Sequence, residues 1–258
     1  MAGLSFYKYQ GTGNDFIMID DRKHQFPSED IELIGRLCDR RFGIGADGLI
    51  LIREHSGADF EMIYFNPDGS MSLCGNGSRC AVHFARYLHM IDKEATFKAI
   101  DGLHGSTISE GLIHLKMTNV AEIKRIGKDF FIDTGSPHYI KLVEDVSQTA
   151  VVREGRAIRN DPQFGDGGTN VNFVEMLNDQ EVKIRTYERG VENETLSCGT
   201  GVTAVALAMG AQGMKSPVSL VTRGGILKVT FTQAGAERFE DIFLIGPAEQ
   251  VYKGEIEI

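Results

Sequence analysis

The sequence predicts a protein of the α+β class, because strand-like segments are numerous and helix-like segments are few. Short runs rich in Val, Ile and aromatic residues, bounded by Gly, Asn, Asp and Pro, predict strands at 4–9, 16–20, 49–53, 60–65, 112–117, 130–133, 172–177, 182–187, 218–222, 226–231 and 241–246. Helical periodicity occurs at 28–41, around 76–90, around 147–158 and at 200–213. Strands and helices do not alternate regularly, which favours α+β over a doubly wound parallel sheet.

The two halves of the chain share one order of features, which suggests a distant duplication. In each half a strand ends in an aromatic residue, a polar stretch follows, and a cysteine then precedes a glycine-bracketed turn that opens a helix. These cysteines are Cys74 and Cys198, about half the chain length apart. A repeat of this size indicates two domains and not a solenoid. We expect the domains to be 1–122 and 123–248, with the boundary near the polar stretch 119–127.

Composition excludes several classes of protein. The 258 residues carry a net charge of −9, which argues against nucleic acid and against a membrane surface as partners. The N-terminal residues lack the apolar stretch of a signal peptide, and no run approaches the length that spans a bilayer. Four cysteines do not make a disulfide framework in a chain of this length. We therefore expect a cytoplasmic protein with reduced thiols.

Cys74 and Cys198 are the strongest candidates for chemistry. A cysteine at a helix N-terminus faces unpaired N–H groups and the positive end of the helix dipole, which lower a thiol pKa. Two such thiols in matching halves suit the inversion of a carbon stereocentre, in which one group removes a proton and the other delivers one to the opposite face. Such a pair titrates as a unit. The alternatives are two small buried hydrophobic residues, or a disulfide.

Glycines and polar residues follow both cysteines. Gly75, Asn76, Gly199 and Thr200 leave backbone N–H groups unobstructed, which makes each helix start an anion site. Oriented donors there would stabilise an α-carboxylate as a carbanion develops. Plain N-capping by Asn76 and Thr200 is the alternative, and both functions can coexist.

Other polar residues near these segments have two interpretations. His138 ends a strand-like run and either has a structural role or biases the protonation of a cysteine. Glu188 and Arg189 precede Cys198 and form either a solvated ion pair or a site for a thiol proton or a substrate ammonium. Asparagines in turns either satisfy local hydrogen bonds or bind substrate groups; they are Asn14, Asn66 and Asn170.

Assembled in order, the motifs resemble those of the diaminopimelate epimerase family over nearly the whole chain. They are YKYQGTGNDF, RRFGIGADG, FNPDGSMSLCGNGSRC, DTGSPH, GTNVNF, YERGVENETLSCGTG and LIGPA. The resemblance implies a cofactor-independent, two-base epimerisation of LL-2,6-diaminopimelate to the meso form, in lysine and peptidoglycan biosynthesis. Cys74 and Cys198 match the catalytic pair, and His138 and Glu188 match the residues that tune it.

The same resemblance implies the rest of the site and the architecture. The substrate-binding positions it implies are Asn14, Asn66, Gly75, Asn76, Asn170, Glu188, Arg189, Gly199 and Thr200. It also implies two similar domains, each an antiparallel sheet around a central helix, with the site in the cleft between them. In that fold a C-terminal strand, here 249–258, returns to the first domain, and members form homodimers. Ser136 replaces a common Asn, and Gly48 replaces a Gln found in some members.

Neither a metal nor a pyridoxal cofactor is expected. Cys74 and Cys80 are the only cysteines with a spacing near that of a zinc site, and no C-x₂-C accompanies them. Two alternative functions remain open from the sequence. One is a related racemase acting on another amino acid, such as proline, and the other is a thiol-based redox or binding protein. The absence of C-x-x-C counts against the second.

Overall fold

The computed structural model describes residues 3–258, which are α+β as predicted. The chain divides into two compact units. Unit 1 runs up to Leu115 and takes in Gly246–Ile258, and unit 2 is Lys116–Ile245. The domain boundaries after 122 and 248 stay a prediction, because compactness alone does not define a folding domain.

Unit 1 holds seven consecutive strands and two helices. They are β1 (Gly3–Gly11), β2 (Asn14–Asp20), α1 (Ile31–Cys38), β3 (Gly48–Arg53), β4 (Phe60–Phe65), α2 (Gly75–Tyr87), β5 (Glu94–Ala99), β6 (Gly102–Ser109) and β7 (Leu112–Lys116). In β3 every residue except Arg53 is buried, because the strand lies between β2 and β4. Asp30 caps α1 by accepting the N–H of Leu33 at 2.9 Å.

Unit 2 repeats this pattern with additional short elements. Its helices are α3 (Val151–Arg159) and α4 (Gly199–Ala211), and two 3₁₀ turns lie at Val146–Gln148 and Pro162–Phe164. The strands are β8 (Lys124–Ile126), β9 (Asp129–Asp133), β10 (Pro137–Leu142), β11 (Asn170–Asn178), β12 (Glu181–Glu188), β13 (Asn193–Thr195), β14 (Val218–Thr222), β15 (Gly225–Gln233) and β16 (Phe239–Gly246).

A late strand completes the sheet of unit 1. Strand β17 (Glu249–Glu257) pairs antiparallel with β1, from Gly3 opposite Glu257 to Gln10 opposite Glu249. The other edge of β1 pairs with β2. Strand β1 is therefore bonded on both sides.

The sheets are mixed, which corrects one detail of the expected architecture, the antiparallel sheet in each domain. Four strand pairs are parallel, namely β2–β3, β4–β5, β10–β11 and β12–β14. Each pair is separated in sequence by one helix, α1, α2, α3 or α4 in that order. The physical reason is that parallel neighbours need a long crossover, which a helix supplies. The order β-α-β-β-α-β thus recurs in both units, with the short strand β13 inserted before α4 in unit 2, as the duplication predicts.

Helices α2 and α4 are the central helices of their units. Helix α2 packs on β1 to β4, and α4 packs on β9, β10, β11, β14 and β15. From Gly201 to Gly210 every residue of α4 is buried. A helix that is apolar on all sides has strands around it, so the predicted central helix is confirmed.

The sequence patterns did not predict several of the strands. Strand β6 contains Gly102 and Gly105, which have low strand propensity, and β10 begins with Pro137. Strands β8 and β13 have three residues each, too few for a periodic signal. Between residues 3 and 258, no helix combines the length and the apolar character needed to cross a membrane.

Candidate active site

Cys74 is the N-cap of helix α2. Its backbone is extended, with φ −129° and ψ 116°, and its Sγ accepts the N–H of Gly77 at 3.4 Å. A Cβ at Gly77 would lie 3.1 Å from Ile50 Cδ1 and 3.4 Å from Cys74 Cβ, so the start of the helix is closely packed. The sulfur therefore takes the place of a capping oxygen, where the helix dipole favours negative charge.

Asn14 and Asn76 lie beside Cys74. The Oδ1 of Asn14 is 3.4 Å from Cys74 Sγ and 3.3 Å from Asn76 Nδ2. Asn14 Nδ2 donates to Asp47 Oδ2 at 2.6 Å, which fixes the orientation of the amide. Asn14 therefore presents an acceptor to the sulfur, a contact suited to a protonated thiol.

Charged residues hold Asp47 in place. Arg40 Nη2 bridges Asp15 Oδ1 at 2.6 Å and Asp47 Oδ1 at 2.7 Å, and Lys8 Nζ contacts Asp15 Oδ2 at 2.7 Å. Burial of Asp15 raises its pKa, but hydrogen bonds from Arg40 and Lys8 outweigh this effect and lower the pKa of Asp15 to about 2. Asp15 therefore stays ionised at neutral pH, and Arg40 links it to Asp47, which anchors Asn14.

Arg79 is fully buried and connects three segments of unit 1. Its guanidinium donates to Asn76 Oδ1 at 3.0 Å, Thr12 Oγ1 at 3.1 Å and the Pro247 carbonyl at 3.3 Å. The first bond orients the Asn76 amide so that its Nδ2 faces Asn14. Arg79 was not predicted from the sequence. The sequence pattern that could have indicated it is an arginine one turn into a helix that the sequence predicts to be apolar.

Asn66 and Gly75 complete the predicted residues of unit 1. Asn66 Nδ2 donates within its own loop, to the Ser70 carbonyl at 3.2 Å, to Ser70 Oγ at 3.0 Å and to Ser72 Oγ at 3.2 Å. Gly75 is the first residue of α2 and is buried. The structure thus gathers Asn14, Gly75 and Asn76 around Cys74, and it holds Asn66 by contacts in the loop that precedes Cys74.

Cys198 starts helix α4 with almost the same backbone as Cys74. Its φ is −125° and its ψ is 114°, and the residue is buried. Thr200 Oγ1 lies 3.5 Å from Cys198 Sγ. Gly199 is the first helical residue, and Thr134 Oγ1 donates to the Thr200 carbonyl at 2.9 Å. The duplicated motif therefore produces two cysteine N-caps with closely similar backbone angles, of which Cys74 also caps its helix through the sulfur.

His138 lies next to Thr200 in unit 2. Its Nε2 is 2.9 Å from Thr200 Oγ1 and 3.0 Å from Ser136 Oγ. Burial, followed by the charge of Arg189, lowers the pKa of His138 to about 3. The imidazole is therefore neutral at physiological pH and acts as a hydrogen-bonding group beside the cysteine.

Asn170, Glu188 and Arg189 lie at the ends of strands β11 and β12. Asn170 Oδ1 accepts the backbone N–H of Arg189 at 2.9 Å, and its Nδ2 donates to Ser136 Oγ at 3.2 Å and to the Pro137 carbonyl at 3.0 Å. Glu188 Oε2 accepts the hydroxyl of Thr195 at 2.9 Å. The Nη1 of Arg189 lies 3.4 Å from the Gly167 carbonyl.

Ser136 and Gly48 mark the two departures from the family motifs. Ser136 Oγ contacts Asn170, His138 and Thr200, so it belongs to the hydrogen-bond network of unit 2. At Gly48 a Cβ would lie 2.3 Å from Tyr64 Cε2 and 2.8 Å from its hydroxyl oxygen. The Tyr64 ring therefore occupies the space into which a side chain at position 48 would extend.

Asn172 and Thr186 also belong to this network, and neither was predicted from the sequence. Asn172 Nδ2 donates to His138 Nδ1 at 3.1 Å, and Thr186 Oγ1 donates to Asn172 Oδ1 at 2.9 Å. The available signal was the spacing in GTNVNF, since residues two apart on a strand share a face. Asn172 thus lies on the same face of β11 as Asn170.

The other two cysteines are buried free thiols. Cys38 and Cys80 are 4% and 0% exposed, and neither forms a disulfide. Burial raises the pKa of Cys38 to about 11 and raises that of Cys80 further. Cys74 and Cys198 are free thiols as well. Across residues 3–258, no group of three or more His, Cys, Asp or Glu side chains is arranged to hold a metal ion.

Comparison with known proteins identifies the family. The family described as diaminopimelate epimerase matches residues 6–117 and 130–251. The chain belongs to the diaminopimelate epimerase family. A relative called diaminopimelate epimerase, from Flavobacterium psychrophilum, is 50% identical over 257 residues, covering 98% of this chain and 100% of the relative. Membership of this family makes the chain an isomerase of the pyridoxal-independent type.

Solved structures share the fold at low sequence identity. A phenazine biosynthesis protein of the PhzF family from Bacillus anthracis has a TM-score of 0.80 at 15% identity and covers 100% of both chains. A probable proline racemase from Agrobacterium radiobacter has a TM-score of 0.70 at 15% identity, with 99% of this chain and 93% of that chain covered. At 15% identity this likeness shows only that the chain has the same fold as these two proteins.

Proposed function

We propose that the protein is a diaminopimelate epimerase that inverts one α-carbon of LL-2,6-diaminopimelate to give the meso isomer. One cysteine thiolate removes the α-proton, and the other cysteine, as a thiol, delivers a proton to the opposite face. Cys74 and Cys198 are this pair. The observation that carries the proposal is that both are N-caps of buried central helices with nearly the same backbone angles.

The electrostatics of each cysteine support the exchange of roles. At Cys74 the sulfur accepts the Gly77 N–H and faces the Asn14 carbonyl oxygen, so both the thiolate and the thiol find a partner. At Cys198 the hydroxyl of Thr200 supplies the neighbouring group. Positioned proton transfer contributes about 10²–10⁴-fold to such a reaction. His138 and Glu188 tune the protonation of the pair.

The polar residues around the cysteines bind the substrate. Backbone N–H groups at the two helix starts hold the α-carboxylate, whose oxygens gain charge as the proton leaves. Glu188 and Arg189 supply opposite charges for the ammonium and carboxylate groups. The full substrate-binding set in this proposal is Asn14, Asn66, Gly75, Asn76, Asn170, Glu188, Arg189, Gly199 and Thr200.

Exchange in heavy water tests the reaction. The reduced protein is incubated with LL-diaminopimelate in D₂O, and deuterium at the α-carbon is followed together with optical rotation. We expect deuterium in the meso product. Exchange only with another amino acid, such as proline, would assign the chain to a racemase of different specificity. Absence of exchange with any amino acid would overturn the isomerase mechanism and favour a thiol-based redox function.

Alanine variants test the two-base step itself. Cys74→Ala and Cys198→Ala should each lower epimerisation by roughly 10²-fold or more, since each removes an acid/base group. Cys38→Ala is the matched control, because Cys38 is a buried thiol that is not a helix cap. More than about a tenth of the activity in either cysteine variant would contradict the scheme.

The assembly and location follow from the same family resemblance. We infer a homodimer in the cytoplasm, with domains 1–122 and 123–248 and the strand 249–258 added to the first. Sedimentation velocity at micromolar concentration tests the dimer, and a single species at the monomer mass of 28.4 kDa would contradict it.

A further inference from the structure

The side-chain amide of Asn172 has one allowed orientation. Thr186 Oγ1 lies 2.9 Å from Asn172 Oδ1, and the Tyr139 carbonyl lies 3.2 Å from Asn172 Nδ2. A backbone carbonyl only accepts hydrogen bonds, so the amide nitrogen must face Tyr139. The hydroxyl of Thr186 then donates to the amide oxygen. Both ends of the amide are thereby fixed.

The fixed amide determines the tautomer of His138. Asn172 Nδ2 also lies 3.1 Å from His138 Nδ1. Because this nitrogen is a donor, Nδ1 must carry the lone pair, and the proton of the neutral imidazole resides on Nε2. His138 and Asn172 are both 0% exposed, so water does not compete for these bonds.

The tautomer in turn sets the direction of the Thr200 hydroxyl. His138 Nε2–H is shared between two acceptors, Thr200 Oγ1 at 2.9 Å and Ser136 Oγ at 3.0 Å. Ser136 Oγ accepts an N–H from Asn170 at 3.2 Å, and its own hydroxyl faces Thr200 Oγ1 at 3.3 Å. Thr200 thus accepts twice, and its single proton is directed to Cys198 Sγ at 3.5 Å. With the other tautomer, Nε2 would accept that proton instead.

Close packing leaves the network little freedom. An added Cβ at Gly201 would lie 2.6 Å from Asn172 Oδ1 and 3.3 Å from His138 Nδ1. The backbone of helix α4 at Gly201 therefore packs directly against the Asn172–His138 pair. Arg189 is the charged side chain whose field acts on the imidazole.

We propose that Asn172 is a positioning residue that holds His138 as the Nε2–H tautomer and so directs the Thr200 hydroxyl to Cys198 as a donor to its thiolate. The consequence for catalysis rests on the proposed function, whereas the tautomer does not. A hydrogen bond donated to the charged form of a group favours that form. Asn172 therefore favours Cys198 as the base without touching the sulfur.

Nitrogen NMR of the full-length protein tests the tautomer. Long-range ¹H–¹⁵N correlation of ¹⁵N-histidine-labelled protein distinguishes a bare from a protonated ring nitrogen, and His138→Gln assigns the His138 signals. We expect Nδ1 bare and Nε2 protonated in the unsubstituted protein. In Asn172→Asp the carboxylate can only accept, so Nδ1 should become protonated. A protonated Nδ1 in the unsubstituted protein, or no change in Asn172→Asp, would overturn the proposal.

Threonine variants provide a second route if Asn172→Asp does not fold. Thr186→Val is nearly isosteric and removes one of the two groups that fix the amide, so the Nδ1–H tautomer should appear as a second form beside the Nε2–H form, which the Tyr139 carbonyl still favours. Thr186→Ser should restore the Nε2–H form. Thr222→Val is the matched control, because Thr222 Oγ1 donates to the Gly225 carbonyl in the β14–β15 turn. Unchanged His138 signals in Thr186→Val would contradict the proposal.

A pH profile tests the link to the sulfur. In Asn172→Asp, the acid limb of kcat/KM for epimerisation should move up by about one pH unit, since one hydrogen bond to a charged group is lost. At pH values below the limb, this shift lowers kcat/KM roughly tenfold. A changed tautomer with an unmoved profile would overturn the link to Cys198. No exchange by the unsubstituted protein would overturn the proposed function, while the NMR result would still decide the role of Asn172.

Discussion

His138 Nε2 lies 2.9 Å from the Oγ1 of Thr200, the second residue of helix α4. The imidazole is 0% exposed, and burial together with the charge of Arg189 lowers the pKa of His138 to about 3. A neutral, buried histidine at this position lowers the stability of the fold in acid. The reason is that His138 binds a proton in the unfolded chain at a higher pH than in the folded chain.

Acid stability should therefore depend on His138. Between pH 6.5 and about 3 the unfolded state binds one more proton at this residue than the folded state, so stability rises with pH across that window and falls as pH drops through it. His138→Gln should flatten the dependence. Urea unfolding at pH 4, 5, 6 and 7 measures the slope.

Asp15→Asn provides a control with a different window. The pKa of Asp15 is lowered from 3.8 to about 2, so its stabilisation is present above pH 3.8 and is lost as pH falls toward 2. Asp15→Asn should leave the slope between pH 4.5 and 6.5 unchanged. An equal slope in His138→Gln and in the unsubstituted protein would contradict the assignment of a neutral buried histidine.

Alkylation should separate the four cysteines into two pairs. The thiolate is the reactive form, and burial raises the pKa of Cys38 to about 11 and that of Cys80 above it. We expect iodoacetamide at pH 8 to modify Cys74 and Cys198 in the folded protein and all four thiols after denaturation. Peptide mass spectrometry with time identifies the sites.

Variants check the alkylation pattern. Cys38→Ala should leave the number of modified sites in the folded protein unchanged, whereas Cys74→Ala should lower it by one. Modification of Cys80 at the rate of Cys74 would show that helix position does not determine reactivity in this chain.

Arg79 should be among the most sensitive residues of unit 1. Its replacement by Met removes the three hydrogen bonds that the fully buried guanidinium donates to Thr12, Asn76 and the Pro247 carbonyl. We expect a loss of about 3 kcal/mol or more in the free energy of unfolding. Arg79→Lys should recover little, because one ammonium does not reproduce the guanidinium geometry.

Arg153→Met is the control for Arg79. The Arg153 side chain is 83% exposed, so its replacement should change the free energy of unfolding by less than about 0.5 kcal/mol. Urea unfolding of the three variants gives the comparison, and equal stabilities for Arg79→Met and Arg153→Met would refute the structural role of Arg79.

Gly201 tests the packing of α4 against Asn172. In Gly201→Ala the new Cβ would lie 2.6 Å from Asn172 Oδ1, which is anchored by Thr186 and cannot retreat freely. We expect a cost of about 1–3 kcal/mol in unfolding free energy, together with a loss of activity. Gly105→Ala, where nothing lies within 4 Å of the added Cβ, should be neutral or slightly stabilising. Thermal unfolding compares them.

The sequence patterns predicted the central elements well because those elements are strongly periodic or strongly apolar. Strands β3 and β4 and helices α2 and α4 lie within one or two residues of their predicted starts. Parallel pairing was not foreseen, because periodicity shows that a strand exists and not which strand it joins. Strands β8 and β13 are too short to give a periodic signal.

The candidate site was predicted where residues occur in contiguous motifs. Cys74 and Cys198 stand out through their glycine-bracketed turns, and the structure makes both of them N-caps. Asn172 was missed because its significance comes from the register between β10 and β11, which brings it to His138. Arg79 was missed because a buried arginine has no signature of its own. Contacts made across strands are invisible in a linear pattern.

The pairing of β17 with β1 has a consequence for biosynthesis. Strand β1 is translated before unit 2, and its partner residues 249–257 are translated after all of unit 2. Until then one edge of β1 exposes unbonded peptide groups, so the nascent first half resembles a template for intermolecular aggregation. The chain is therefore expected to rely on chaperone protection during translation, and unit 2 to be the first to acquire resistance to protease.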